Sequence, residues 1–452
     1  MKFAHIVMSL LAAAILYAPS ADAAPSVKRN YSGFEIKEAV DDNAISFIKA
    51  EKSQLKKAFG ITAVKIGDAD LERLVAAFPD IQELTVAYTK ELTSIAPVAK
   101  LTGLTKFDGR DIHNVTDFTP LAELTSLQKL SINSNGLSGD LKWMSKLAGL
   151  TSVSVDSRNV TSFEGLPFLP KLTSASFIHA APADLAPLVA SMPKLSTLHL
   201  NYCKINDLSP LAQLADLEYL NLYGAEVKDF SPLAQCAKLK KLTYYGMKHC
   251  DFTTLAALKQ VGELDGGLTN LADISWIAEL PNLKYFDVFA ESITDYSPLA
   301  KTNIERFTIW NMRQPVGDLG VIGQMPKLKD LKLWSVNGAF NSAGLSGLAE
   351  LERFTISSDF NKKGGEAFDL AATRGWAKVR EIDLQGAVVA NADKMGPMPV
   401  LERVRLRQVT GFTSFEALKK CPGLKYIEIE GCPDIPDSEL LGFDTKVKIS
   451  RR

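Results

Sequence analysis

Residues Leu195–Asp216 read LSTLHLNYCKINDLSPLAQLAD, and Leu217–Lys238 follow at once with LEYLNLYGAEVKDFSPLAQCAK. Both stretches fit L-x-x-L-x-L, then a turn, then I/V-x-D-L/F-S-P-L-A. Working outward from this pair, a period of about 22 residues runs through most of the chain, the signature of a repeat architecture. About seventeen units begin at Ile61, Ile81, Leu104, Leu127, Leu150, Leu172, Leu195, Leu217, Leu239, Val261, Leu283, Ile304, Leu328, Leu351, Val379, Leu401 and Leu424. The unit from Leu351 is longer, with an insertion around Asn361–Gly365.

Alternate side chains of a strand face opposite ways. The fourth residue of each unit, from Val64 and Leu84 through Leu220 and Leu331 to Ile427, is apolar, and the fifth, from Lys65 to Glu428, never is. The sixth returns to apolar residues apart from Gly109 and Gly266. Each unit therefore carries one short strand with its fourth and sixth residues in the core. One strand per repeat in a chain that returns in the same direction must stack parallel. Ser-Pro-Leu-Ala return legs suit 3₁₀ or helical turns, because proline fixes φ near the turn value. The expected fold is an α/β solenoid: an arc of about 17 coils with a parallel sheet on its concave face and short turns on the convex one.

This pattern resembles the leucine-rich-repeat family, and its N-x-I-x-D-L-S-P-L form is similar to the bacterial internalin type, over roughly residues 61–440. The resemblance implies recognition of partners on the concave face. An asparagine ladder after the strand is mostly missing, with Asn135 and Cys203 as the best matches.

The expected organisation is a signal peptide at 1–23, a flexible segment at 24–43, a helical cap at 44–60, repeats over 61–423, and a last repeat with a C-terminal cap over 424–452. Lys2, the apolar run Ile6 to Tyr17 and the small-x-small Ala21-Asp22-Ala23 read as a general export signal. The mature chain is expected to be soluble, secreted or periplasmic, with no membrane span. In 44–60, Ile45, Phe47, Ile48, Leu55 and Phe59 share one helical side.

The 51 basic and 52 acidic residues leave a net charge of −1, which gives no broad field for nucleic acid. Of the 5 cysteines, Cys421 and Cys432 form the candidate disulfide, in the last two repeats. Zinc-type spacing is missing, and no metal or cofactor is expected. The histidines are scattered over separate units, and no nucleophile elbow, P-loop or H-E-x-x-H occurs, so the expected role is not enzymatic.

Positions three, five and seven should project from the concave sheet. Position seven reads Tyr223, Tyr245, Gly267, Phe289, Trp310 and Trp334 in consecutive units, but Arg110, Asn133, Asp156, Ile178 and Asn201 before them and Ser357, Gln385, Arg407 and Glu430 after. An exposed aromatic column is therefore expected across the middle of the arc, widened by Tyr219 and Tyr285 at position three. Asp265 and Asp287 lie side by side at position five, open to a cationic group, a metal ion or water. Gly266 and Gly267 suggest a notch between Tyr245 and Phe289, and Arg306 and Lys332 a basic border. Three readings follow: recognition of a host or cell-envelope protein, carbohydrate binding by the same rings, or a structural spacer.

Overall fold

The computed structural model describes residues 27–30, 33–55, 57–137, 141–247, 249–289, 292–310, 319–335, 342–358 and 367–452. The signal-peptide reading of 1–23 and the insertion at Asn361–Gly365 lie outside these residues. The chain divides into two compact units, one running to Val160 with Gly165–Lys171, the other holding Thr161–Glu164 and Leu172–Arg452.

Each unit is a solenoid of one strand and one return leg per repeat. In the second, the strands Thr197–His199, Tyr219–Asn221, Lys241–Thr243 and Glu263–Asn270 pair parallel in sequence order, and the pattern continues to Tyr426–Glu430. From Ile81 onward the described strands keep the expected register, with Leu198, Leu220, Leu242, Leu264 and Phe286 in one row. That row is fully buried, as are Leu200 and Leu222 at the sixth position. Return legs such as Ser209–Gln213 and Ser231–Gln235 are 3₁₀ turns that bury Leu211 and Leu233 from the other side.

The aspartate of the D-L-S-P motif has a local task. Asp207, Asp229, Asp273 and Asp295 each accept from the backbone N–H two residues on, at 2.7–2.8 Å, so that these four return legs start on a satisfied donor. The eighth position turns the chain out of the sheet. Lys65, Tyr88, Asp111, His179, Tyr202 and Gln408 all sit there with φ between 50° and 60°, in the left-handed region. Serine offers another exit: Ser134 and Ser157 are buried, and their hydroxyls donate to Ile112 O at 3.0 Å and Leu137 O at 3.3 Å. Cys203 and Cys432 similarly place their thiols on Phe177 O and Leu406 O. Asn135, expected as a ladder residue, is instead exposed beside Ser134.

The structure corrects the N-terminal reading. Ile61, not Val64, pairs with Leu84, so the first unit is shifted by three residues and Lys65 occupies its eighth position rather than its fifth. Both residues are apolar, and the pattern alone could not choose between them. The segment expected to be flexible holds a hairpin, β1 (Val27–Asn30) and β2 (Gly33–Lys37), and β2 pairs parallel with β3 (Gly60–Val64). Phe34 and Ile36 continue the buried rows, which gives the hairpin an apolar face to cover. Between β2 and β3 a helix, α1 (Asp42–Glu51), is capped by Asp41 accepting from Ala44 N and buries Ala44 and Ile48, while Phe47 stays exposed and meets Phe34 edge-on. At the other end a strand at Lys448–Arg451 adds one more rung, Ile449 beside Ile427.

Cys421 and Cys432 are separate thiols, not a disulfide. Cys421 ends a return leg, with its thiol donating to Ala417 O at 3.5 Å, whereas Cys432 follows a strand and accepts from Val409 N at 3.4 Å. The two repeat positions face different walls of the coil.

Two outcomes test this architecture. Leu220→Asp or Leu331→Asp buries a carboxylate at a site with no exposure and should abolish cooperative thermal unfolding; a variant that melts like the wild type would refute the register. Lys65→Gly relieves a left-handed lysine and should leave the melting midpoint unchanged or raise stability by up to about 1 kcal/mol, whereas Lys65→Val should lower it.

Candidate functional site

The aromatic positions of the second unit lie on the solvent side of the sheet, but as two stacks rather than one exposed column. Tyr223 and Tyr245 are parallel at 5.7 Å, and Tyr202 meets Tyr223 at 4.8 Å and stacks on His179 at 5.1 Å. Trp310 and Trp334 pair in register and stack at 5.3 Å with 10° between planes, and Phe289 is the next rung. All of Tyr223, Tyr245, Phe289, Trp310 and Trp334 are half-buried, and within each stacked pair one ring covers the other. Tyr202 was missed by alternation: its left-handed backbone turns it outward at the eighth position, and it is 46% exposed.

The break between the stacks is the strand Glu263–Asn270, where the register shifts after Gly266 and Phe289 pairs with Asn270 rather than Gly267. The expected notch is filled from within the chain. The Tyr245 ring lies where a Gly267 Cβ would project, and the buried Tyr244 ring does the same at Gly266. Glycine is needed at both positions because a neighbouring ring passes over the backbone.

Beside this filled break, Asp265 and Asp287 are register partners on adjacent strands. Asp287 is 6% exposed; its Oδ2 accepts from the Tyr285 hydroxyl at 3.0 Å and its Oδ1 is buried without a hydrogen bond. Burial pushes the Asp287 carboxyl up to about 6, the nearby Trp310 indole N–H opposes the rise, and the Asp265 charge adds to it. The indole nitrogen approaches the carboxylate without forming a regular bond, and it too is buried without a hydrogen-bond partner. Burial also raises Asp265, against the pull of Lys241.

The basic border is partly engaged. Arg306 reaches Glu263 at 3.5 Å and lies over the Tyr285 ring at 4.9 Å, while Lys241 reaches the same Glu263 at 3.6 Å and lies over Tyr219 at 5.3 Å. The Tyr219 hydroxyl shares a 3.3 Å hydrogen bond with Thr243. Lys332 acts on Asp287 by its charge alone. Further along, Arg405 is enclosed by Glu381, Asp383 and Glu428 at 3.1–3.5 Å, a charge ladder between strands.

Comparisons with known proteins bear on the fold. The family model for leucine-rich repeats in two copies matches residues 193–235. Among solved structures, a leucine-rich-repeat protein of Leptospira interrogans aligns over 91% of this chain and 93% of its own, with a TM-score of 0.50 and 15% identity. An internalin, inlF, of Listeria monocytogenes aligns over 84% of this chain and 88% of its own at 18% identity and a TM-score of 0.43. Internalin C2 of the same organism aligns over 48% and 92% at 27% identity and a TM-score of 0.37. Among curated proteins none matches significantly. Residues 193–235 match the leucine-rich-repeat model, and the chain has a solenoid fold similar to that of leucine-rich-repeat proteins. Among the described residues, no helix is long and apolar enough to cross a membrane.

The buried carboxylate gives a signed pH dependence. The fold favours neutral Asp287, so its contribution to stability is present below the ordinary carboxyl value of 3.8 and is lost as pH rises through about 6. Asp287→Asn should therefore stabilise the chain on the order of 2–3 kcal/mol at pH 8 and change little at pH 4, measured by denaturant unfolding at both. Equal effects at the two pH values would contradict the burial.

The two glycines should differ. Gly266→Ala pushes on Tyr244, which has no exposed surface to move into, and should cost about 1–3 kcal/mol. Gly267→Ala can displace the half-exposed Tyr245 and should cost less; thermal melts of both variants measure the difference.

Proposed function

We propose that this chain is an exported recognition protein that binds a protein partner, from a host surface or the cell envelope, through the aromatic sheet face of its second unit. The observation that carries the reading is the confinement of rings at the seventh position. Rings that served only to stabilise a sheet would recur along it. Here they occupy neighbouring strands from Tyr223 to Trp334 and give way to Ser357, Gln385 and Arg407. Half-buried, stacked aromatics offer a preorganised apolar surface that loses little rotamer freedom on binding. Glu263, Arg306 and Lys332 at the border would orient the partner. Export rests on the apolar N-terminal run and its Ala-Asp-Ala site. A binding role rather than catalysis is supported by the repeat fold.

The test is capture from envelope and host-surface extracts with wild type, Trp310→Ala/Trp334→Ala and Asn133→Ala/Asp156→Ala. Because the tryptophans stack, removing both should lower stability by about 1–2 kcal/mol and leave the fold intact. Partner affinity should fall by at least about 2 kcal/mol for the tryptophan pair and little for the control pair. Equal losses from both pairs would remove the aromatic face as the site. Binding to glycan arrays without a captured protein would replace the protein partner by carbohydrate.

A further inference from the structure

Two features of the break between the stacks are left unexplained by the fold. Asp265 and Asp287 stand side by side, about 4.8 Å apart as parallel neighbours, and among the described residues neither forms an ion pair. Glu263 takes both Lys241 and Arg306, and Lys332 acts on Asp287 by its charge without an ion pair. Independently of the charge, Oδ1 of Asp287 is an acceptor without a donor on a side chain more than nine-tenths buried. An orphaned carboxylate oxygen beside a second carboxylate is a costly arrangement that any cationic donor would relieve.

We propose that Asp265 and Asp287 form the receiving site for a lysine ammonium of the bound partner, with the Tyr245 and Tyr285 rings as walls along its stem. The assignment deepens the recognition reading given above and rests on it. Lysine fits better than arginine on shape. Asp287 is recessed while Asp265 keeps partial exposure, so the entering group must be a point charge on a slender apolar stem, whereas a guanidinium is broad and planar and its fork needs two coplanar acceptors. The ammonium would donate to Oδ1 of Asp287 and to Asp265. Tyr245 lies over Gly267 and Tyr285 is fixed by its bond to Asp287, so both walls are already in place.

The site should respond to pH through the two carboxyls. The Tyr245 and Tyr285 hydroxyls beside it, and that of Tyr244 on the core side of the sheet, are pushed up by burial and by these same aspartates, so they stay neutral between pH 5 and 8. Lys241, Arg306 and Lys332 border the site, and Glu263 is held between the first two.

The experiment titrates the full chain with N-acetyl-lysine N-methylamide by carboxyl-detected NMR, with the norleucine and arginine analogues as comparisons. Lysine should bind in the millimolar range, shift the Asp265 and Asp287 resonances, and weaken at least fivefold from pH 8 to pH 5. Asp287→Asn, which should stay folded, is expected to weaken it about tenfold, and Asp383→Asn, whose carboxylate already faces Arg405, to leave it unchanged. Norleucine binding as well as lysine, arginine binding more tightly, or an unaffected Asp287→Asn would each overturn the proposal. The probe needs no partner, so its failure alongside intact, tryptophan-dependent partner capture would remove the lysine site and leave the recognition reading standing.

Discussion

The constraint on which this molecule depends is the burial of the fourth and sixth side chains of every strand against the same positions of the next. A single repeat cannot cover its own apolar face, so each rung is stable only between two others. Leu220, Leu242 and Leu264 have no exposed surface, and each such side chain contributes about 1.5–3 kcal/mol relative to solvent. The return leucines Leu211 and Leu233 close the coil from behind. Backbone groups follow the same logic: parallel ladders satisfy the strands, and motif aspartates or buried hydroxyls and thiols satisfy the turns.

That division of labour leaves the other face of the sheet free. Third, fifth and seventh residues lie on the face away from the leucine rows, although some of them, Asp287 among them, are buried by their neighbours there. The second unit uses the freedom in one region. Its rings contact one another in two runs, Tyr202–Tyr223–Tyr245 and Trp310–Trp334, and between them the buried Asp287 lies beside an irregular strand whose glycine pair is overlaid by tyrosines. The bulge, the two glycines and the raised carboxyl of Asp287 are all departures from the repeat. Local departures from an otherwise consistent pattern are where function is expected to reside.

The sequence carried the fold well because the signal was periodic. Alternation in LEYLNL or LKDLKL places each residue on a face, and adjacent repeats multiply the same evidence; the register from Ile81 onward follows directly. Where repetition ends, so does legibility. Ile61 and Val64 are both apolar, and only pairing with Leu84 decides between them. The hairpin at Val27–Lys37 has no leucine spacing to announce it. For the site, position along the strand was readable but direction of the rings was not: glycines at 266 and 267 suggest space, whereas Tyr244 and Tyr245 fold back to fill it. Cys421 and Cys432 lie close in sequence, yet return leg and strand exit are different walls of a coil, a distinction made by repeat position rather than by spacing.

The central claim is that the aromatic sheet face is a recognition surface carried by the fold rather than required for it. Covalent footprinting of the full chain, with and without the extracts that contain its partner, tests this most directly. The account predicts protection at Tyr223, Tyr245, Trp310 and Trp334 together, with return-leg residues such as Lys238 and Lys259 labelled equally in both conditions. Protection confined to the return legs, or spread evenly over both walls of the coil, would contradict it.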